Sequence, residues 1–267
     1  MKRWRLAVIA VLVLVTMAGC RPDTVELGYR YPAEQSISYR MKAHATASWN
    51  IGGEGGGEYD VTFEVTETVR SSDGGSATVS VVMEPLDVEE QGLPSPGAKE
   101  RSFALEIGPN GEVLEVLEVD GVAAEALDPD ELAFIGTYRP PLPPEPVTLR
   151  DTWRAERQVE LGAVFQQVVS TGELDGLRRD AEGKIAHLRY MGEGPLVWTT
   201  TLPQGEAELT GEAVTSSTAD LDIDGGFLRA ARSSTEGTFD VRVDPGGGRA
   251  PIVGTLDLDL DLTLEKV

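Results

Sequence analysis

The stretch SISYRMKAHATASW, residues 36–49, alternates without a break. Ile37, Tyr39, Met41, Ala43, Ala45, Ala47 and Trp49 fall on one face. Ser36, Ser38, Arg40, Lys42, His44, Thr46 and Ser48 fall on the other. A period of two places successive side chains on opposite sides of a strand. Fourteen such residues make one half-buried strand of roughly 45 Å. Ordinary strands run about five or six residues, so this length points to a barrel or half-barrel wall.

Working outward, Gly52, Gly53 and Gly55 to Gly57 read as a flexible loop. The partner strand follows, with Tyr59, Val61, Phe63 and Val65 inward and Asp60, Thr62, Glu64 and Thr66 outward. Ser71 to Gly75 is a turn cluster, after which Ala77, Val79, Val81 and Met83 make a third strand. Phe103, Leu105 and Ile107 follow a loop rich in Pro and Gly. Asn110-Gly111 reads as a type I′ hairpin turn, because both central residues of that turn need positive φ. Glu112 to Val119 fits helix or strand, and its valines favour strand. On the other side, Val25 to Tyr31 reads as a short first strand stopped by Pro32.

Asp128-Pro129 has the form of an N-cap followed by Pro at the first helical position. One short helix is expected there, to about Ile135, with Val122 to Leu127 a candidate for a second. Five prolines then fall within Pro140 to Pro146, which excludes a central strand and suggests a stiff connector. Trp153 opens a second set of strands. In Glu206 to Asp224, Ala207, Leu209, Ala213, Ala219, Leu221 and Ile223 share a face. The chain closes on Leu256, Leu258, Leu260, Leu262 and Leu264, the middle ones alternating with Asp257, Asp259 and Asp261, and this strand is expected to be core with all five leucines inward.

The expected fold is therefore mainly β. It is a long-stranded, curved antiparallel sheet, an open or half β-barrel in two loosely similar halves, with one or two short helices. The divisions expected are a leader at 1–19, a tether at 20–24, an N-terminal β half at 25–138, a Pro-rich connector at 139–149 and a C-terminal β half at 150–267.

The leader carries Lys2, Arg3 and Arg5, then the apolar run Leu6 to Val15, then Met17-Ala18-Gly19-Cys20. A charged start, a short apolar region and small residues before a cut describe a secretory signal peptide. A bilayer span needs about 20 apolar residues, more than this run supplies. The only cysteine in the chain directly after the small residues resembles the bacterial lipobox, whose cysteine is acylated and becomes the new N-terminus. That resemblance implies a lipidated Cys20 and an extracytoplasmic, membrane-anchored protein. The anchor would sit on the outer face of the cytoplasmic membrane, or in the outer membrane of a cell that has two, which Arg21 after the cysteine favours.

Cleavage removes three basic residues and no acid from a chain with 23 Lys+Arg and 45 Asp+Glu, leaving 248 residues and a net charge of −25. That charge argues against nucleic acid and against flat docking on anionic lipid, both of which need clustered basic residues. One cysteine excludes a disulfide framework. Asp220-Leu221-Asp222-Ile223-Asp224-Gly225 matches the start of a calcium loop, but the position of its bidentate Glu is Ala231, so a strand ending in a turn is the better reading. His44 and His187 alternate onto charged faces without metal-ligand spacing. No nucleophile elbow or phosphate loop is present. No catalytic residue, metal site or cofactor is assigned, and an enzyme is not expected.

Tyr39-Arg40-Met41, Val61 to Val65, Ile107-Gly108-Pro109-Asn110-Gly111-Glu112-Val113 and Asp151-Thr152-Trp153 together resemble a group of uncharacterised bacterial lipoproteins. These are broadly similar to the Lol- and LppX-type half-barrel lipid carriers, in which a curved antiparallel sheet encloses acyl chains. The resemblance implies lipid binding and transfers no functional residue. From the residues themselves, Tyr39, Met41, Ala43, Ala45, Ala47, Trp49 and Phe63 are the candidate lining of an apolar cavity, because small inward residues leave room between long strands. The expectation is a monomer that binds or carries a lipid or other apolar ligand. The alternative is an envelope interaction module with a filled core and an acidic working surface.

Overall fold

The computed structural model describes residues 24–92, 99–126, 139–161, 164–202 and 205–267. The leader, Cys20 and the helix expected over Asp128 to Ile135 lie outside them. Twelve strands form one antiparallel sheet. They are β1 (Ser36–Ile51), β2 (Glu54–Ser72), β3 (Ala77–Gln91), β4 (Arg101–Ile107), β5 (Val113–Val119), β6 (Val122–Ala123), β7 (Thr152–Leu161), β8 (Val164–Asp180), β9 (Gly183–Leu202), β10 (Gly205–Asp222), β11 (Phe227–Asp244) and β12 (Ile252–Lys266).

The sheet order is β6-β5-β4-β3-β2-β1-β12-β11-β10-β9-β8-β7. Each half of the chain is thus a six-stranded meander, and the two meet where the first strand pairs with the last. That pairing is long and regular, from Tyr39 opposite Lys266 to Ile51 opposite Gly254. It sets Met41, Ala43, Ala45, Ala47 and Trp49 opposite Leu264, Leu262, Leu260, Leu258 and Leu256. A slip of one residue would turn every leucine to the wrong face, so the alternation fixes this register.

The sheet curves without closing. Leu105 and Ile107 of β4 share one buried cluster with Leu174 of β8, although these strands lie near opposite ends of the order. Segments outside the sheet fill the same cluster: Leu27 and Tyr29 from the N-terminal stretch, Leu142 and Val147 from the proline-rich connector. Val25 to Tyr31 is therefore no strand. It makes a single bridge, Val25 with Val147, and then runs to the turns at Pro109 and Gly226, where Tyr29 and Arg30 donate backbone hydrogen bonds. Joining a sheet edge would leave those apolar side chains half wet; crossing the concave side buries them. The connector crosses there too. Tyr29 Oη donates to Pro140 O and Trp153 Nε1 to Pro141 O, both at 3.1 Å. Prolines cannot join a ladder, but their carbonyls accept these bonds.

Four expectations are corrected in detail. Gly55 to Gly57 belong to β2, because the hairpin closes tightly at Gly52, whose φ is 69°. Gly55 lies opposite Trp49, and a Cβ there would come within 2.4 Å of the indole. The Asn110-Gly111 turn is not type I′. Only Gly111 has positive φ, and Gly111 N donates to Gly108 O, as in a type I turn with Pro109 first and a left-handed glycine after it. The helix expected over Val122 to Leu127 is a short strand and one 3₁₀ turn, Ala124–Ala126. Last, of the five terminal leucines only Leu264 is buried; Leu256, Leu258, Leu260 and Leu262 stay half-buried on the concave side.

Candidate functional site

The seven residues expected to line a cavity share the concave face, since Tyr39, Met41, Ala43 and Trp49 of β1 are registered opposite Val65, Phe63, Val61 and Gly55 of β2. They do not form one pocket. Tyr39 and Met41 belong to the filled cluster, and Phe63 packs against it. Ala43, Ala45 and Ala47 are buried, Ala45 to 1% exposure. Their larger neighbours Tyr59, Leu258, Leu260 and Leu262 remain half-buried, as does Trp49. The alanines thus form the floor of an apolar strip, with aromatic and leucine side chains standing around them.

The filled end contains what the alternation did not flag. Glu67 continues the inward series Val61, Phe63, Val65, and it meets Arg139 from the connector. Arg139 Nη2 lies 2.5 Å from Glu67 Oε2, and Nε donates to Oε1 at 3.2 Å. Arg139 also donates from Nη1 to Tyr31 Oη and stacks over the Tyr29 and Tyr31 rings. Tyr39, Glu67 and Arg139 border a cavity of about 20 Å³, room for one water. Burial pushes the Tyr31 hydroxyl up to about 12 and raises Tyr29 and Tyr39 as well. This end is a closed polar lock within the core. The missed signal was an acid at an inward position, which must find a partner.

Both histidines sit against outward carboxylates. His44 Nδ1 is 2.9 Å from Asp60, and His187 Nδ1 is 2.8 Å from Asp220. The calcium-like run is a strand end: Asp222 accepts from Gly225 N at 2.7 Å and pairs with Arg229. Asp257 accepts from Thr238 across the sheet at 2.8 Å. Among the described residues no group of three His, Cys, Asp or Glu could hold a metal, and no helix is long and apolar enough to cross a membrane.

No family model matches the chain, and no curated protein matches it. Among solved structures, the chain is similar to Pseudomonas aeruginosa OccK2 (OpdF), solved in complex with glucuronate. That match has a TM-score of 0.25 at 7% identity and covers 89% of this chain and 100% of the other. P. aeruginosa OccK11 (OpdR) gives a TM-score of 0.23 at 10% identity, covering 91% and 98%. At such scores neither likeness carries an argument.

Proposed function

We propose that this is a membrane-anchored extracytoplasmic lipoprotein whose concave sheet face binds an apolar ligand such as a lipid. The anchor reading rests on the sequence around Cys20. The ligand reading rests on one observation: large apolar side chains on the concave side of β1, β2 and β12 remain half-exposed. Tyr59, Leu258, Leu260 and Leu262 surround a floor of small residues and stay half-buried, Leu258 and Leu262 packing against the buried clusters at either end of the strip. A contiguous apolar patch of this kind on a soluble protein marks a binding surface. The acidic outward face keeps the sheet soluble and disfavours flat contact with anionic lipid.

The test is titration of the chain from residue 20 onward, which contains every described residue, with an acyl lipid carrying an environment-sensitive fluorophore. Saturable emission that unlabelled lipid displaces is the expected result. Emission no greater than with an unrelated acidic protein would leave the interaction-module reading in its place.

A further inference from the structure

The two ends of the sheet differ. One end tapers: β4 and β5 pair with two breaks of register, and β6 adds only Val122 and Ala123 beyond them. The other end is β7, 10 residues long, which pairs with β8 in unbroken register from Thr152 opposite Glu173 to Leu161 opposite Val164. β7 contains no proline, and among the described residues no backbone group other than those of β8 bonds to it. An edge strand leaves the N–H and C=O of every second residue pointing away from its neighbour, and a long regular edge is a template for a further strand.

Charged side chains ordinarily keep such an edge from pairing. On β7 they carry opposite signs two residues apart. Arg154 and Glu156 both stand exposed on the outward face, with Arg154 Nη2 2.6 Å from Glu156 Oε1. Their neighbours on β8, Thr171 and Val169, are uncharged. This part of the edge is therefore neutral in a chain of net charge −22. Two opposite charges flanking one residue also complement themselves when the strand is turned end for end about that residue. The charges that repel other strands thus favour one partner, a second copy of the same strand.

We propose that β7 pairs antiparallel with β7 of a second copy, with Ala155 on the two-fold axis, so that one sheet runs through a homodimer. Such a contact is isologous, and identical residues meet on its axis. With Ala155 there, Arg154 stands opposite Glu156 of the second copy, and Glu156 opposite its Arg154. Directly opposite residues share a face, so both cross-strand pairs form on the outward side. Moving the axis by one residue either way sets two arginines or two glutamates opposite each other, which is unfavourable. The axis leaves both concave faces on the same side of the joined sheet. This dimer departs from the monomer expected of the sequence, and it does not depend on what the concave face binds.

Sedimentation equilibrium of the chain from residue 20 onward tests this, in reducing buffer so that Cys20 forms no disulfide. A reversible dimer is the expected result. Arg154→Glu, which sets like charges in both cross-strand pairs, should abolish it. The circular dichroism of the sheet should stay unchanged, because the side chain is exposed in the single chain. Adding Glu156→Arg to that variant reverses both members of each pair and should restore the dimer. A wild-type chain that stays monomeric at every concentration overturns the proposal. So does a dimer that Arg154→Glu leaves intact, or one that the double reversal fails to restore.

Discussion

Arg139 and Glu67 meet as a two-pronged ion pair inside the sheet, with side chains 5% and 8% exposed, and so join the proline-rich connector to the second strand. Two charges taken out of water are tolerated because each satisfies the other, and Tyr31 takes a third guanidinium proton. Removing one partner should therefore hurt more than removing both. Glu67→Leu or Arg139→Met alone should cost about 3–5 kcal/mol, and the double replacement much less. Chemical denaturation of the two single variants and the double completes the cycle. Additive losses would mean that the two residues do not act as one lock.

The half-buried leucines of β12 should respond unlike the buried one. Leu264 is fully buried, and Leu264→Ala should cost about 2–5 kcal/mol. Leu258→Ala and Leu260→Ala, on the open strip, should cost well below that yet weaken lipid binding. Asp259→Asn, outward on the same strand, should change neither. Thermal melts beside lipid titrations decide it. Equal melting shifts for Leu260→Ala and Leu264→Ala would show that the strip is a filled core.

Alkaline pH should open the closed end. Burial raises Tyr29, Tyr31, Tyr39 and Tyr190, with Tyr31 at about 12. A group raised in the folded state leaves stability intact below its unfolded value, about 10 for tyrosine. Above that, the unfolded chain loses its protons first, so stability falls as pH rises from about 10 toward 12. Melts across this window, with phenolate absorbance recorded alongside, should show these tyrosines ionising together with unfolding. Phenolates appearing near pH 10 at constant Tm would contradict their burial.

Anchoring should depend on Cys20. A single acyl chain binds a membrane only marginally, so stable attachment requires two or more, as a lipidated cysteine would carry. Cys20→Ala should move the protein out of the detergent-phase membrane fraction. A variant retained as tightly as the natural chain would remove the anchor from the account.

Where the side-chain period was strict, the sheet was legible. Residues 36–49 and 256–264 announced their faces, and those faces imply the pairing of β1 with β12 once both ends of the chain are placed in one sheet. The crossing segments were not legible, because the prolines at 140–146 have no period and Val25 to Tyr31 imitates a strand. Ala45 read as spare room, yet it is 1% exposed, with the larger Tyr59 and Leu260 registered beside it on the two neighbouring strands. Ala45→Phe is therefore expected to overpack, at about 1–3 kcal/mol. Other signals were present and unread. Glu67 sits at an inward position, and Thr215 and Ser217 interrupt an apolar series between Ala213 and Ala219. Each needed the rule that inward polar groups require partners, where the apolar residues needed only their spacing.

The central claim is that the concave face holds a lipid, and native mass spectrometry of the mature protein from a lipid-rich host tests it most directly. The expected result is a population carrying one non-covalent lipid, released at raised collision energy and diminished in Leu260→Ala. A spectrum showing only the bare polypeptide with its covalent acyl groups, from that same host, would contradict it.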